Sequence, residues 1–157
     1  MLELLFFNTS VNSFFSSDSK LSNVSGVDDF DLGCELPSDR GHFQEELTSE
    51  LISILAKHGS CQPKGAITTP EGNKIYTDLY YHREMKLFTV KRDWVAFSKI
   101  QGKAYCHHCW LFGLKTPKNI HSPWIDGFIP NTKHFKQKVK CHEESDCHKE
   151  AAKAHSR

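Results

Sequence analysis

Cys106 and Cys109, in the run Tyr105-Cys106-His107-His108-Cys109-Trp110, are answered across a spacer of 32 residues by His142 and His148. Two thiolates two residues apart can occupy two corners of a small tetrahedron, and two imidazoles from a later helical segment can take the others. That donor set suits one Zn2+ ion. Four protein ligands leave no corner free for water or substrate, so the pattern points to a metal-stapled binding module and not to an enzyme.

A second donor set is present. Cys141 and Cys147 have the same separation as His142 and His148, displaced by one residue, and four thiolates would also bind zinc. Spacing does not separate the two sets, because only one member of each adjacent pair can face the ion and the helix direction at 142–148 decides which. His107 and His108, wedged between the thiols, are awkward as further ligands and are expected to point outward. There they could touch phosphates or bases at the tip of the knuckle. His121, His134 and His155 are expected at the surface.

The elements that must position these groups occupy the later part of the chain. Residues 1–38 are rich in Ser, Asn, Asp and Gly and read as a disordered acidic tail, with an acidic and apolar patch at Val27–Leu32. Phe43, Leu47, Leu51, Ile54, Leu55 and His58 recur at helical spacing, which predicts an amphipathic helix over about 40–58 inside a segment 39–60. Ser38 or Asp39 would cap it and Gly59 would close it. Residues 61–82, punctuated by Pro and Gly, read as a linker and lead-in strand. Within 83–157, Leu87–Val90, Trp94–Ser98 and Lys103–Cys106 have strand character, with a turn at Lys99–Gly102 that brings Cys106 to the end of a hairpin. An irregular crossover over Lys115–Pro130 would be anchored by Trp124 and Phe128. A helix over Asn131–Lys140 follows, then a last helix capped by Ser145 or Asp146 and running through His155. The expected fold is therefore a small α+β, zinc-stapled domain.

The net charge of +1 conceals an asymmetry: residues 1–60 hold 3 Lys/Arg against 10 Asp/Glu, and residues 61–157 hold 17 against 9. A basic Cys/His half suits a polyanion. Lys133, Lys136, Lys138 and Lys140, with Lys99 and Lys103 near the knuckle, are the candidate phosphate contacts. Six cysteines without a convincing export signal read as reduced intracellular thiols. No apolar run approaches the ~20 residues of a membrane span.

Phe88-x5-Trp94-x3-Ser98, Tyr105-Cys106-x2-Cys109-x2-Phe112, Gly127-Phe128 and His142-Glu143-x-Ser145-x2-His148 together resemble the TTF-type zinc finger of hAT-family transposases and of their domesticated relatives, the zinc finger MYM-type proteins. Gly59-x2-Gln62-Pro63 is similar to a Gly-Pro-x-Gln-Pro stretch that often precedes such fingers. The resemblance covers roughly 58–155. It implies that Cys106, Cys109, His142 and His148 are the ligands, that Cys141 and Cys147 are bystanders and that Ser145 caps the last helix. One departure is Asn131-Thr132, where the family usually has Trp shortly after the Gly-Phe. The resemblance further implies DNA binding in the nucleus, without the RNase H-like catalytic domain, for which the chain has no room after the finger. The expectation is a truncated or domesticated product that keeps the DNA-contacting module. From another class, the alternative is a protein-interaction adaptor using the finger or helix 40–58. Neither a deaminase order of His-x-Glu before Pro-Cys-x-x-Cys, nor a phosphate-binding glycine loop, nor a nucleophile elbow is present.

Overall fold

The computed structural model describes residues 35–113 and 122–157. Among them, helix α1 (Ser49–His58) precedes three antiparallel pairs: β1 (Ala66–Thr68) with β2 (Lys74–Tyr76), β3 (His82–Glu84) with β4 (Thr89–Lys91), and β5 (Val95–Ser98) with β6 (Lys103–Cys106). Four helices follow: α2 (His107–Phe112), α3 (Pro123–Asp126), α4 (Thr132–Glu144) and α5 (Asp146–His155). The class is α+β, as the sequence implies.

The β5–β6 ribbon is the centre of the molecule because both of its faces are covered. Val95, Phe97, Ala104 and Cys106 share one face by register and pack with Trp94, Trp124, Phe135 and Val139. Ala96 and Tyr105 point the other way, into a smaller cluster with Cys61, Leu36 and Trp110. A two-stranded ribbon buried on both sides needs apolar residues at consecutive positions, not alternate ones, which is what Trp94–Phe97 supplies. Its turn is locked from outside. Gly102 sits at φ 63°, and a Cβ there would meet the Thr68 carbonyl oxygen at 2.5 Å, so both conformation and space require glycine. Asp39, buried, accepts from the Lys99 and Ile100 amides at 2.8 and 3.2 Å through Oδ2 and from the Gly41 amide at 2.8 Å through Oδ1.

Several expectations are corrected. The helix predicted over 40–58 is split: Asp39 caps a 3-10 turn at Arg40–His42, and α1 starts only at Ser49, with Thr48 Oγ1 accepting from Leu51 N at 3.3 Å. The wide apolar stripe is shared between these pieces, Phe43 packing on Trp110 with centroids 5.8 Å apart and Leu55 fully buried. Gly59 ends α1 with φ 92° and ψ 176°, an extended positive-φ exit and not the left-handed cap. Residues 61–82, expected as a linker and a lead-in strand, do hold a strand at Lys74–Tyr76, but it pairs with β1 in a hairpin and a 3-10 helix follows at Thr77–Tyr80. The buried Thr77 hydroxyl, donating to the Pro63 carbonyl at 2.6 Å, turns the chain there. The acidic tail lies outside the described residues as far as residue 34. The first part of the 115–130 crossover and His121 also lie outside them. Of the predicted anchors there, Trp124 is buried and Phe128 bridges Ala104 through backbone hydrogen bonds of 2.9 and 3.0 Å.

Candidate metal centre

Cys106 is the last residue of β6 and the N-cap of α2, so the strand-to-helix turn alone fixes the two thiols. The Cys109 amide donates to Cys106 Sγ at 3.4 Å, leaving both sulfurs on the inner side of the first helical turn. The imidazoles come from the corner between α4 and α5. His142 lies in the last turn of α4, continuing the buried stripe of Phe135 and Val139 at helical spacing. His148 lies in the first turn of α5. Ser145 joins them: its hydroxyl donates to the His142 carbonyl at 2.7 Å and accepts from the His148 amide at 3.3 Å.

All four side chains are buried, and one donor atom from each lies within 4.8 Å of all the others. Cys106 Sγ is 3.4 Å from His148 Nδ1, and Cys109 Sγ is 3.4 Å from His142 Nε2 and 3.9 Å from His148 Nδ1. Bonds of 2.0–2.3 Å at tetrahedral angles place sulfur and nitrogen about 3.5–3.6 Å apart, so the residues present fit one four-coordinate metal ion. Around them stand aromatic rings: Trp124 stacks on His142 at 4.4 Å and 16°, and Trp94 lies 4.5 Å from the His148 ring. Such a wall excludes water and fixes ring orientation. Cys141 is exposed and Cys147 only half-buried; neither belongs to the cluster of four.

Electrostatics favour cation capture. The Cys106 thiol donates to Cys109 and, with His142 and His148 also hydrogen-bonded to it, holds Cys109 well below its ordinary value against the opposing effect of burial. Burial, reinforced by the neighbouring Cys109, pushes Cys106 well above its own. Of the pair, Cys109 is the readier to ionise and Cys106 the one that holds its proton. Burial lowers His142, keeping it a neutral ligand.

Glu143, beside the ligand His142, faces the β3–β4 hairpin. Its two oxygens accept from Arg92 Nε and Nη2, both at 3.1 Å, and from Arg83 Nη1 at 3.4 Å. Burial works to raise this carboxyl, but the Arg92 hydrogen bonds and the two arginine charges outweigh it and leave it below its ordinary value. The sequence signal for this clamp was one member of the acidic pair Glu143-Glu144, which carries no long-range information.

The other predicted residues scatter. His107 and His108 are only 1% and 6% exposed, not outward. His107 Nε2 lies 3.2 Å from the Leu55 carbonyl under α1, and His108 stacks on His155 at 4.1 Å, which removes His155 from the expected surface too. Burial lowers the two to about 3 and about 4, so neither brings positive charge to a phosphate at neutral pH. Lys99 lies at the β5–β6 turn, the end of the hairpin away from the cysteines, paired with Glu35 at 3.3 Å. Lys103 opens β6, three residues or roughly 10 Å before Cys106. The four α4 lysines are exposed but do not form one edge: at 100° per residue Lys133, Lys136 and Lys140 share an arc, whereas Lys138 falls on the other flank, over the Phe128 ring at 5.2 Å. Among the described residues no helix is long and apolar enough to cross a membrane. The chain matches no protein-family model, no curated protein and no solved structure.

Proposed function

We propose that this chain is a zinc-dependent DNA-binding module of the TTF type, derived from a hAT-type transposase, acting in the nucleus and without catalysis of its own. The observation that carries the reading is the closed set of four buried donors, two sulfurs and two nitrogens. A mixed thiolate and imidazole tetrahedron suits zinc, and a filled coordination shell is structural. When bound, the ion supplies folding free energy, about 10–16 kcal/mol in small structural sites. The residues do the rest: Ser145 holds the spacing of the imidazoles, the tryptophans fix their rings, and Glu143 carries the order of α4 into the β3–β4 hairpin.

DNA is supported by the lysine arc of α4. Lys133, Lys136 and Lys140 are exposed, and the hairpin that Glu143 ties beside them adds further lysines. Fluorescence anisotropy on a 20-base-pair duplex tests this with the zinc-loaded chain. Binding is expected to weaken with salt, and Lys136→Glu with Lys140→Glu should flatten the log–log slope by roughly 0.9 for each phosphate no longer neutralised. Lys138→Glu should change it less. No binding at low salt by protein shown to hold one zinc per chain removes the DNA reading and leaves the adaptor.

A further inference from the structure

The β3–β4 hairpin is amphipathic, and among the described residues its apolar face is left largely uncovered. Register pairs His82 with Lys91, Arg83 with Val90 and Glu84 with Thr89, and the Met85 amide donates to the Phe88 carbonyl at 2.9 Å beyond them. Cross-strand partners share a face, so Arg83, Val90, Met85 and Phe88 lie together, opposite His82, Lys91, Glu84 and Thr89. Val90 is 41% exposed, Met85 40%, Phe88 61%, and Leu87 at the tip 93%. Such apolar surface in a water-facing hairpin marks a contact site.

Charge selects the occupant. The segment 82–92 carries Arg83, Lys86, Lys91 and Arg92 against Glu84 alone. At its root, Arg83, Met85 and Arg92 line a groove whose opposite wall holds Lys136 and Lys140. The acids of that groove are engaged, Asp78 accepting from the Gly65 amide at 2.8 Å and Glu84 from the Thr89 hydroxyl at 3.1 Å. An apolar strip framed by cations fits a polyanion that itself exposes apolar groups. The DNA major groove does: it admits a two-stranded ribbon, and the thymine 5-methyl is its apolar feature. On this face the one hydrogen-bonding side chain is Arg83, already bonded to Glu143, so direct readout is left to apolar contact.

Resting on the DNA reading above, we infer that the β3–β4 hairpin enters the major groove and that Leu87, Phe88 and Val90 read thymine methyl groups, while Lys136 and Lys140 hold the adjacent phosphates. The test uses the full zinc-loaded chain and two duplexes identical except that every thymine in one is replaced by uracil, which removes the methyl and keeps charge and pairing. Wild type should bind the thymine duplex more tightly, by roughly three- to fourfold per methyl buried. Leu87→Ser and Phe88→Ser should narrow the difference between the two duplexes, leaving only what Val90 contributes, without altering the salt slope. Both side chains lie outside the core, and a melting curve checks that the variants fold. Equal affinity of wild type for the two duplexes, with salt dependence intact, overturns this inference and leaves DNA binding standing. Absence of binding to either overturns both. Discrimination unchanged in the variants, with an altered sedimentation coefficient, reassigns the face to a protein contact and equally overturns it.

Discussion

Ser145→Ala tests whether the corner between α4 and α5 sets the geometry of the metal centre. The hydroxyl makes two bonds, donating to the His142 carbonyl at 2.7 Å and accepting from the His148 amide at 3.3 Å. Each such bond contributes about 0.5–1.5 kcal/mol net, so removing both costs about 1–3 kcal/mol, in keeping with the ~1 kcal/mol of an N-cap serine. Both bonded groups belong to ligand residues. If the corner orders only with the ion, that loss appears in metal affinity as a weakening of roughly 5- to 150-fold. Competition for Zn2+ against a chelating dye at neutral pH measures it. Ser145→Thr retains both bonds and should sit near wild type. Ser145→Asp can accept from the His148 amide but, ionised, cannot donate to the His142 carbonyl, so it should recover only part of the loss. An alanine variant within twofold of wild type refutes the argument, and an aspartate variant equal to threonine refutes its donor half.

His148→Ala should abolish stoichiometric zinc in elemental analysis, while Cys147→Ala retains it, because Cys147 lies outside the cluster of four donors. The opposite outcome would move the site to the rival thiols. Zinc affinity should rise with pH: Cys106 sits above its ordinary value through burial and the adjacent Cys109, so its proton must leave when the ion binds. Through the neutral range that gives about tenfold per pH unit for one displaced proton, measured by the same dye competition at pH 6, 7 and 8, and a flat profile contradicts it. Chelation of the holo chain should change the tryptophan emission, since Trp94 and Trp124 lie against the ligand imidazoles at 4.5 and 4.4 Å. Emission unchanged on complete metal removal argues that the rings do not depend on the ion for their packing.

What could be read from the chain beforehand was local. The turn at Lys99–Gly102, the ribbon ending at Cys106, the cap at Ser145 and the helix through His155 are each announced by residues within a few positions, and each formed as expected, although the turn is also locked from a distance. The ligand set was legible only in part, because Cys141/His142 and Cys147/His148 offer the same spacing and the choice belongs to the helix face that Phe135 and Val139 bury. Asp39 was only half legible for the same kind of reason. It does cap a turn, but its second oxygen takes the Lys99 and Ile100 amides sixty residues on, a partnership no local pattern announces. The fate of His107 and His108 was likewise non-local: α1 and α5, far from them in sequence, close over them, turning polar residues at a tip into buried neutral rings.

Between positions 142 and 148 four side chains do three different things. His142 and His148 offer nitrogen to the same point, Ser145 measures the distance between them, and Glu143 reaches outward to Arg83 and Arg92. Because Glu143 follows a ligand directly, fixing the His142 ring fixes the azimuth of α4 and with it the point where the β3–β4 hairpin is held. On the DNA reading proposed above, a closed metal site bears on recognition without touching the DNA: it determines whether the hairpin and the lysine arc keep one relative position. Glu143→Gln separates the two roles, since it keeps shape and weakens the charge-assisted bonds. Metal affinity should fall little while protection of the β4 amides against hydrogen exchange falls clearly. Equal protection in the variant and wild type would mean that the hairpin stands without the clamp, and that its order owes nothing to the ion.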